Sequence, residues 1–143
     1  MSFAELSNKM RDRFTLLESA QGDKGKELAE RGFAQAKKDF LVSLLGYKRR
    51  LEEEPAFGSI VTSDGKRHTG FLREISIAGE IVFVKTSKPR HRDDVHFLET
   101  NQITFSLNPS SDSFIRDISI PKVVLPKYMS ELVEKERLES QLK

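Results

Sequence analysis

The chain has 143 residues, no cysteine, 37% hydrophobic and 32% charged residues, and a formal net charge of +2. That length suits one ordinary domain, or a small domain with an extension. The missing thiols exclude disulfides, thiolate metal sites and cysteine nucleophiles, and they fit a reducing compartment. Charge is spread evenly, about +1 over residues 1–55, about +1 over 56–109 and about zero over 110–143. A protein that holds nucleic acid mainly through phosphates shows a stronger basic bias, so such a role would need a local patch. No apolar run approaches the ~20 residues that span a bilayer. The N-terminus lacks a basic region followed by an apolar one. The expectation is a soluble, cytoplasmic protein without membrane insertion.

Ser2 and Glu5 form a capping-box pattern. Phe3, Leu6, Met10, Phe14 and Leu17 then recur at helical spacing, and Gly22 is a stop signal. Asp23 can cap a second helix. Its stripe is Ala29, Phe33, Ala36, Phe40, Leu44, Tyr47 and Leu51, widened by Leu41 and Leu45. The mean step near 3.6 predicts a long, nearly straight amphipathic helix that pairs with the first as a hairpin. Such a hairpin packs on its own domain, joins a second copy or docks a partner protein.

Pro55 ends the helical region. From there the period changes to two. Ile60–Thr62 begins a strand and Asp64-Gly65 signals a hairpin turn. Residues 70–75 alternate, and 81–84 form a short buried-type run. Residues 85–94 read as a polar loop containing Pro89. Residues 95–98 and 103–107 read as two strands or one bent one. Further strands are expected around 114–120 and 123–125, then a last helix from Pro126 to about residue 142. The expected fold class is α+β: an N-terminal helical hairpin (1–54), a small antiparallel β-barrel (55–125) and a C-terminal helix (126–143).

Nothing in the chain assembles a catalytic set. His68, His91 and His96 lack metal-ligand spacing, and no cysteine supports them. Asp93 and Asp94 read as a solvated turn pair. The serines have no partner set, and no Gly-rich phosphate loop of the strand-Gly-Lys-helix type is present. The reading is not an enzyme, with no metal and no resident cofactor. Three basic clusters remain: Lys48-Arg49-Arg50, Lys66-Arg67-His68, and the loop carrying Lys85, Lys88, Arg90, His91 and Arg92. Converging on one barrel rim they could receive phosphates, with arginine supplying bidentate geometry.

Residues 47–86 resemble the first half of a PilZ domain, a six-stranded barrel that usually binds cyclic di-GMP. Its signature is an Arg-x-x-x-Arg pair before the barrel, followed by Asp/Asn-x-Ser-x-x-Gly. Arg49 or Arg50 stands for the arginine pair, and Glu74, Ser76 and Gly79 for the second motif. Glu53 and Glu54 occupy the positions of a second arginine. The resemblance implies a ligand site of Arg49, Arg50, Glu74, Ser76 and Gly79, joined by Arg90 and Arg92. The protein would then be an adaptor that either senses cyclic di-GMP or works without a ligand. Residues 59–86 and 95–107 are also similar to an Sm or Hfq-type domain. That resemblance implies a helix, a strongly bent five-stranded sheet, ring formation by edge-strand pairing, and single-stranded RNA as ligand. A third reading is a structural or interaction protein within a larger assembly. In every case the N-terminal helices are expected to serve a protein partner or self-association.

Overall fold

A computed structural model describes residues 1–91 and 94–120, with Lys135 and Leu138 beyond them; for residues 88–91 and 94–98 the backbone alone is described. Helix α1 (Phe3–Ser19) starts where the capping pattern places it, with the Glu5 amide donating to Ser2 Oγ at 3.2 Å. Helix α2 (Asp23–Glu53) is longer, and its N-cap is Gly22 rather than the expected Asp23. Asp23 instead opens the first turn, where its charge complements the helix dipole. Pro55 follows the last turn as anticipated.

Five strands follow: β1 (Ala56–Thr62), β2 (Arg67–Ala78), β3 (Ile81–His91), β4 (Asp94–Ser106) and β5 (Ile115–Ser119). They form one sheet in the order β4-β3-β2-β1-β5, every neighbour antiparallel. Among the described residues the sheet stays open and does not close into the expected barrel. β5 is committed to β1 from its first residue: the Ser63 and Asp64 amides donate to the Phe114 and Asp112 carbonyls at 2.9 and 3.2 Å. Only a single parallel bridge, Ser106 to Phe114, links the end of β4 to the start of β5. The sheet nevertheless curls hard, because the His68 ring of β2 meets the Phe105 ring of β4 edge-on at 5.4 Å.

The stretch read as a polar loop is a second correction. Residues 85–91 end β3 and Asp94 begins β4, with Thr86 opposite Asn101, Ser87 opposite Thr100 and Pro89 opposite Leu98. Beyond Ser87, β3 has no β2 partner. A proline there removes no ladder bond on that side, which is why Pro89 is tolerated. The two apolar runs at 95–98 and 103–107 accordingly belong to one long strand. The expected strand at 123–125 and the closing helix lie outside the described residues, apart from Lys135 and Leu138, which are helical.

Helices and sheet share one core. Phe3 and Met10 of α1 and Phe40, Leu44 and Leu51 of α2 meet Leu72, Ile75, Val82, Val84, Phe105, Phe114 and Ile118. A run of aromatic contacts crosses the layers: Tyr47 to Phe3 at 5.8 Å, Phe3 to Phe40 at 4.9 Å, and Phe40 stacked on Phe114 at 5.3 Å. Ser7, fully buried on α1, donates to the Ile115 carbonyl at 2.8 Å and so pins that helix to β5. The core ends early along the hairpin. No residue between Arg11 and Gln35 is buried, and Phe14 against Phe33 at 5.5 Å is the ring contact there. The distal half of the hairpin therefore projects past the sheet as a thin arm.

Candidate functional site

The residues singled out by the PilZ-like pattern divide between the last turns of α2 and a turn that pairs with its middle. Arg49 and Arg50 are exposed in its last turns, where the Arg50 carbonyl accepts the Glu54 amide at 3.0 Å. Lys48 is drawn into an i,i+4 pair with Glu52. Ser76 and Gly79 lie at the far end of β2. Glu80, next to Gly79, pairs with Lys37 of α2 at 2.8 Å. Lys37 and Arg49 are twelve residues apart, which is about 18 Å of helix rise. That rise separates Arg49 from the α2 residue paired with the turn beside Gly79.

The β2–β3 connection is accounted for by chain geometry. Gly79 has φ of +60°, a left-handed conformation that glycine adopts without penalty. The Glu80 carbonyl accepts the Leu107 amide at 2.8 Å, tying the turn to the end of β4. Glu74 is matched by Lys85 across the ladder at 3.4 Å, so its charge is already answered. Ser76 sits half-buried opposite Phe83.

Among the described residues, two of the basic clusters lie at different places. Lys66 and Arg67 follow the far end of β1, six residues along the strand from Ala56, and so about 20 Å from the end of α2. Arg67 donates to Ser59 Oγ at 3.0 Å. Arg73 donates to Ser87 Oγ at 3.4 Å, and a hydrogen bond of 3.0 Å joins the Ser87 and Thr100 hydroxyls. Arg92 and Asp93 lie outside the described residues, and so do the side chains of Lys88, Arg90, His91, Asp94 and His96. His68 is occupied by Phe105. Among the described residues no three His, Asp or Glu side chains gather in a way that could hold a metal ion. No helix among them is long and apolar enough to cross a membrane.

One carboxylate has a distinct setting. Asp64, in the β1–β2 turn, accepts from the Thr62 hydroxyl and from the Lys66 amide at 3.1 Å. These bonds, Thr62 first, hold its pKa below the ordinary 3.8. The charged form is the one the fold favours. The turn's contribution is therefore complete above the ordinary value and is lost as pH falls through the lowered one. An NMR titration of the Asp64 carboxyl should give a midpoint below 3.8, and in Thr62→Val the midpoint should move upward.

Sequence reasoning missed the two sheet margins. Among the described residues β4 has β3 as its only strand neighbour over Asp94–Phe105, and β5 has only β1 over Ile115–Ser119. Glu99–Gln102 and Thr104 of β4 are exposed, as are Arg116 and Ser119 of β5. No local pattern marks a strand as marginal, since that depends on which strands pair. Among the described residues the chain presents two unshared edges on a curled sheet, with the helical hairpin packed against it. No family model, curated protein or solved structure matches the chain.

Proposed function

We propose that this protein is a non-enzymatic assembly subunit whose copies join through their sheet edges, β4 of one against β5 of the next. The observation that supports the reading is the pair of margins, on opposite sides of the sheet, that no other described strand shares. Such a margin carries a row of unpaired amides and carbonyls that takes up another strand. Helices followed by a bent five-stranded sheet are also what the Sm-like resemblance implies. The gap between Arg49 and Ser76 favours this reading over a cyclic di-GMP sensor. Evenly spread charge leaves RNA outside the proposal.

Two measurements test it. The mass in solution should be a multiple of the single chain. Hydrogen exchange in peptides covering 99–106 and 115–119 should slow as protein concentration rises, while the buried α2 peptide stays constant. Concentration-independent exchange at both edges would remove the proposal. Calorimetric titration of cyclic di-GMP should give no saturable heat. Saturable binding abolished by Arg49→Ala and Ser76→Ala would restore the sensor reading.

A further inference from the structure

The side of α2 away from the described core carries large apolar side chains that stay exposed. Leu28 is 68% exposed, Val42 61% and Leu45 39%. Leu28, Gln35 and Val42 follow each other at intervals of seven, and Gly25, Gly32 and Gly46 fall on the same side at multiples of seven. A seven-residue repeat keeps one line of a helix facing one partner helix. This line lies away from the core stripe of Ala36, Phe40, Leu44 and Leu51. At Gly25 and Gly46 an added Cβ would meet nothing within 4 Å. Neither glycine is explained by packing inside the chain, although each costs about 1 kcal/mol of helix propensity relative to alanine. Beside the line runs a groove of about 400 Å³ between the hairpin's helices, lined among others by Arg13, Leu16, Gly25, Leu28 and Gly32.

We propose that this face of α2 binds the same face of a second copy, the two helices running antiparallel about a two-fold axis at Gln35. The register supports that occupant. With Gln35 facing itself, Leu28 faces Val42 of the other copy, and Leu45 faces the space left by Gly25. Arg31 faces Asp39, an opposite-charge pair made twice by the symmetry. A two-fold contact needs such self-complementarity, each residue i meeting j while j meets i. Charge over the arm also suits a second copy, because residues 11–32 hold five basic and five acidic side chains. Such a surface neither repels itself nor selects a strongly charged partner. The present partners are replaceable. Arg31 pairs with Glu27 at 2.7 Å with both side chains well exposed, and Asp39 accepts from Gln35 at 2.9 Å. Exposed pairs of that kind contribute little.

The strip from Gly25 to Leu45 is about 30 Å long and about 10 Å wide. That is less than the roughly 800 Å² per partner of a standard interface. The dimer is therefore expected to form in the micromolar range and to fall apart on dilution. The contact goes beyond edge pairing and does not depend on it, since it uses the opposite layer of the fold.

Sedimentation equilibrium of the full chain over a wide concentration range tests it, with circular dichroism as a check on folding. The expected result is a concentration-dependent twofold step in mass, weakened at least tenfold by Val42→Glu. Arg31→Asp alone should also weaken it, and Arg31→Asp combined with Asp39→Arg should restore it. Gly25→Ala separates dimerisation from folding: it should loosen the dimer while raising the thermal midpoint of the dilute monomer. A twofold step that survives Val42→Glu, or the absence of any step at high concentration, would overturn the proposal. The edge reading is judged separately by exchange at 99–106 and 115–119, which Val42→Glu should leave unchanged.

Discussion

Phe40→Ala should be among the most destabilising single substitutions in this chain, lowering the unfolding free energy by about 3–5 kcal/mol. Phe40 is fully buried and touches rings on both sides, Phe3 at 4.9 Å and Phe114 at 5.3 Å. Truncation removes the transfer free energy of the ring and leaves a cavity between three elements. The neighbours are anchored independently, Phe114 by the turn before β5 and Phe3 by the first turn of α1, so the hole closes only in part. A loss of this size is a large share of the roughly 5–15 kcal/mol that holds a domain folded. Urea denaturation should show a lower midpoint with an unchanged slope if folding stays two-state. Phe33→Ala supplies the contrast. Phe33 is half-buried and meets Phe14 out on the arm, and its loss should cost clearly less. Equal effects would mean that the arm is as well packed as the core.

Gly58→Ala should also cost heavily, on the order of 2–3 kcal/mol, through overpacking rather than a void. An added Cβ would lie 2.6 Å from the Ser119 carbonyl oxygen, 3.2 Å from Leu72 Cδ1 and 3.3 Å from Ile120 Cγ1. The first of these is backbone and cannot rotate away. β5 must therefore move off β1 at the end of the ladder, near the pair Ser59 and Ser119. Amide exchange over 115–120 should speed up more than exchange in β2 and β3. Gly46→Ala is the opposite case: nothing lies within 4 Å of the added carbon, and the variant should be more stable by about 0.5–1 kcal/mol. A neutral Gly58→Ala would show that β5 sits looser against β1 than its register implies.

Local chemistry made the two N-terminal helices, the cap of α1 and the first hairpin turn readable in advance. Ser2 accepts the Glu5 amide as its spacing implies, Pro55 follows the last turn of α2, and Asp64-Gly65 makes the β1–β2 turn with Gly65 at φ of +85°. Those features rest on residues within a turn or two of each other. The seven-residue spacing of Leu28, Gln35 and Val42 was equally visible. It was hidden by the stronger core stripe, into which Leu45 was read although it faces outward.

Pairing between distant segments decided the rest. Residues 85–94 look like a loop because their side chains are polar, yet 85–91 and Asp94 are strand because β4 folds back along β3. Periodicity detects burial, and a strand pair that extends past the core has little to detect. The barrel was expected because short strands usually close. Here β5 is taken by β1, and closure stops at one bridge. The proposed ligand site shows the difference most directly. Arg49, Ser76 and Gly79 have a suitable spacing along the chain, but α2 is helical throughout and carries Arg49 about 18 Å from Lys37, which holds the turn at Glu80. Sequence by itself determined the helices, their faces and the first turn, because those depend on near neighbours. Tertiary structure alone decided which described strands stand at the sheet margins and where the β2–β3 turn meets α2, because both depend on which segments lie side by side.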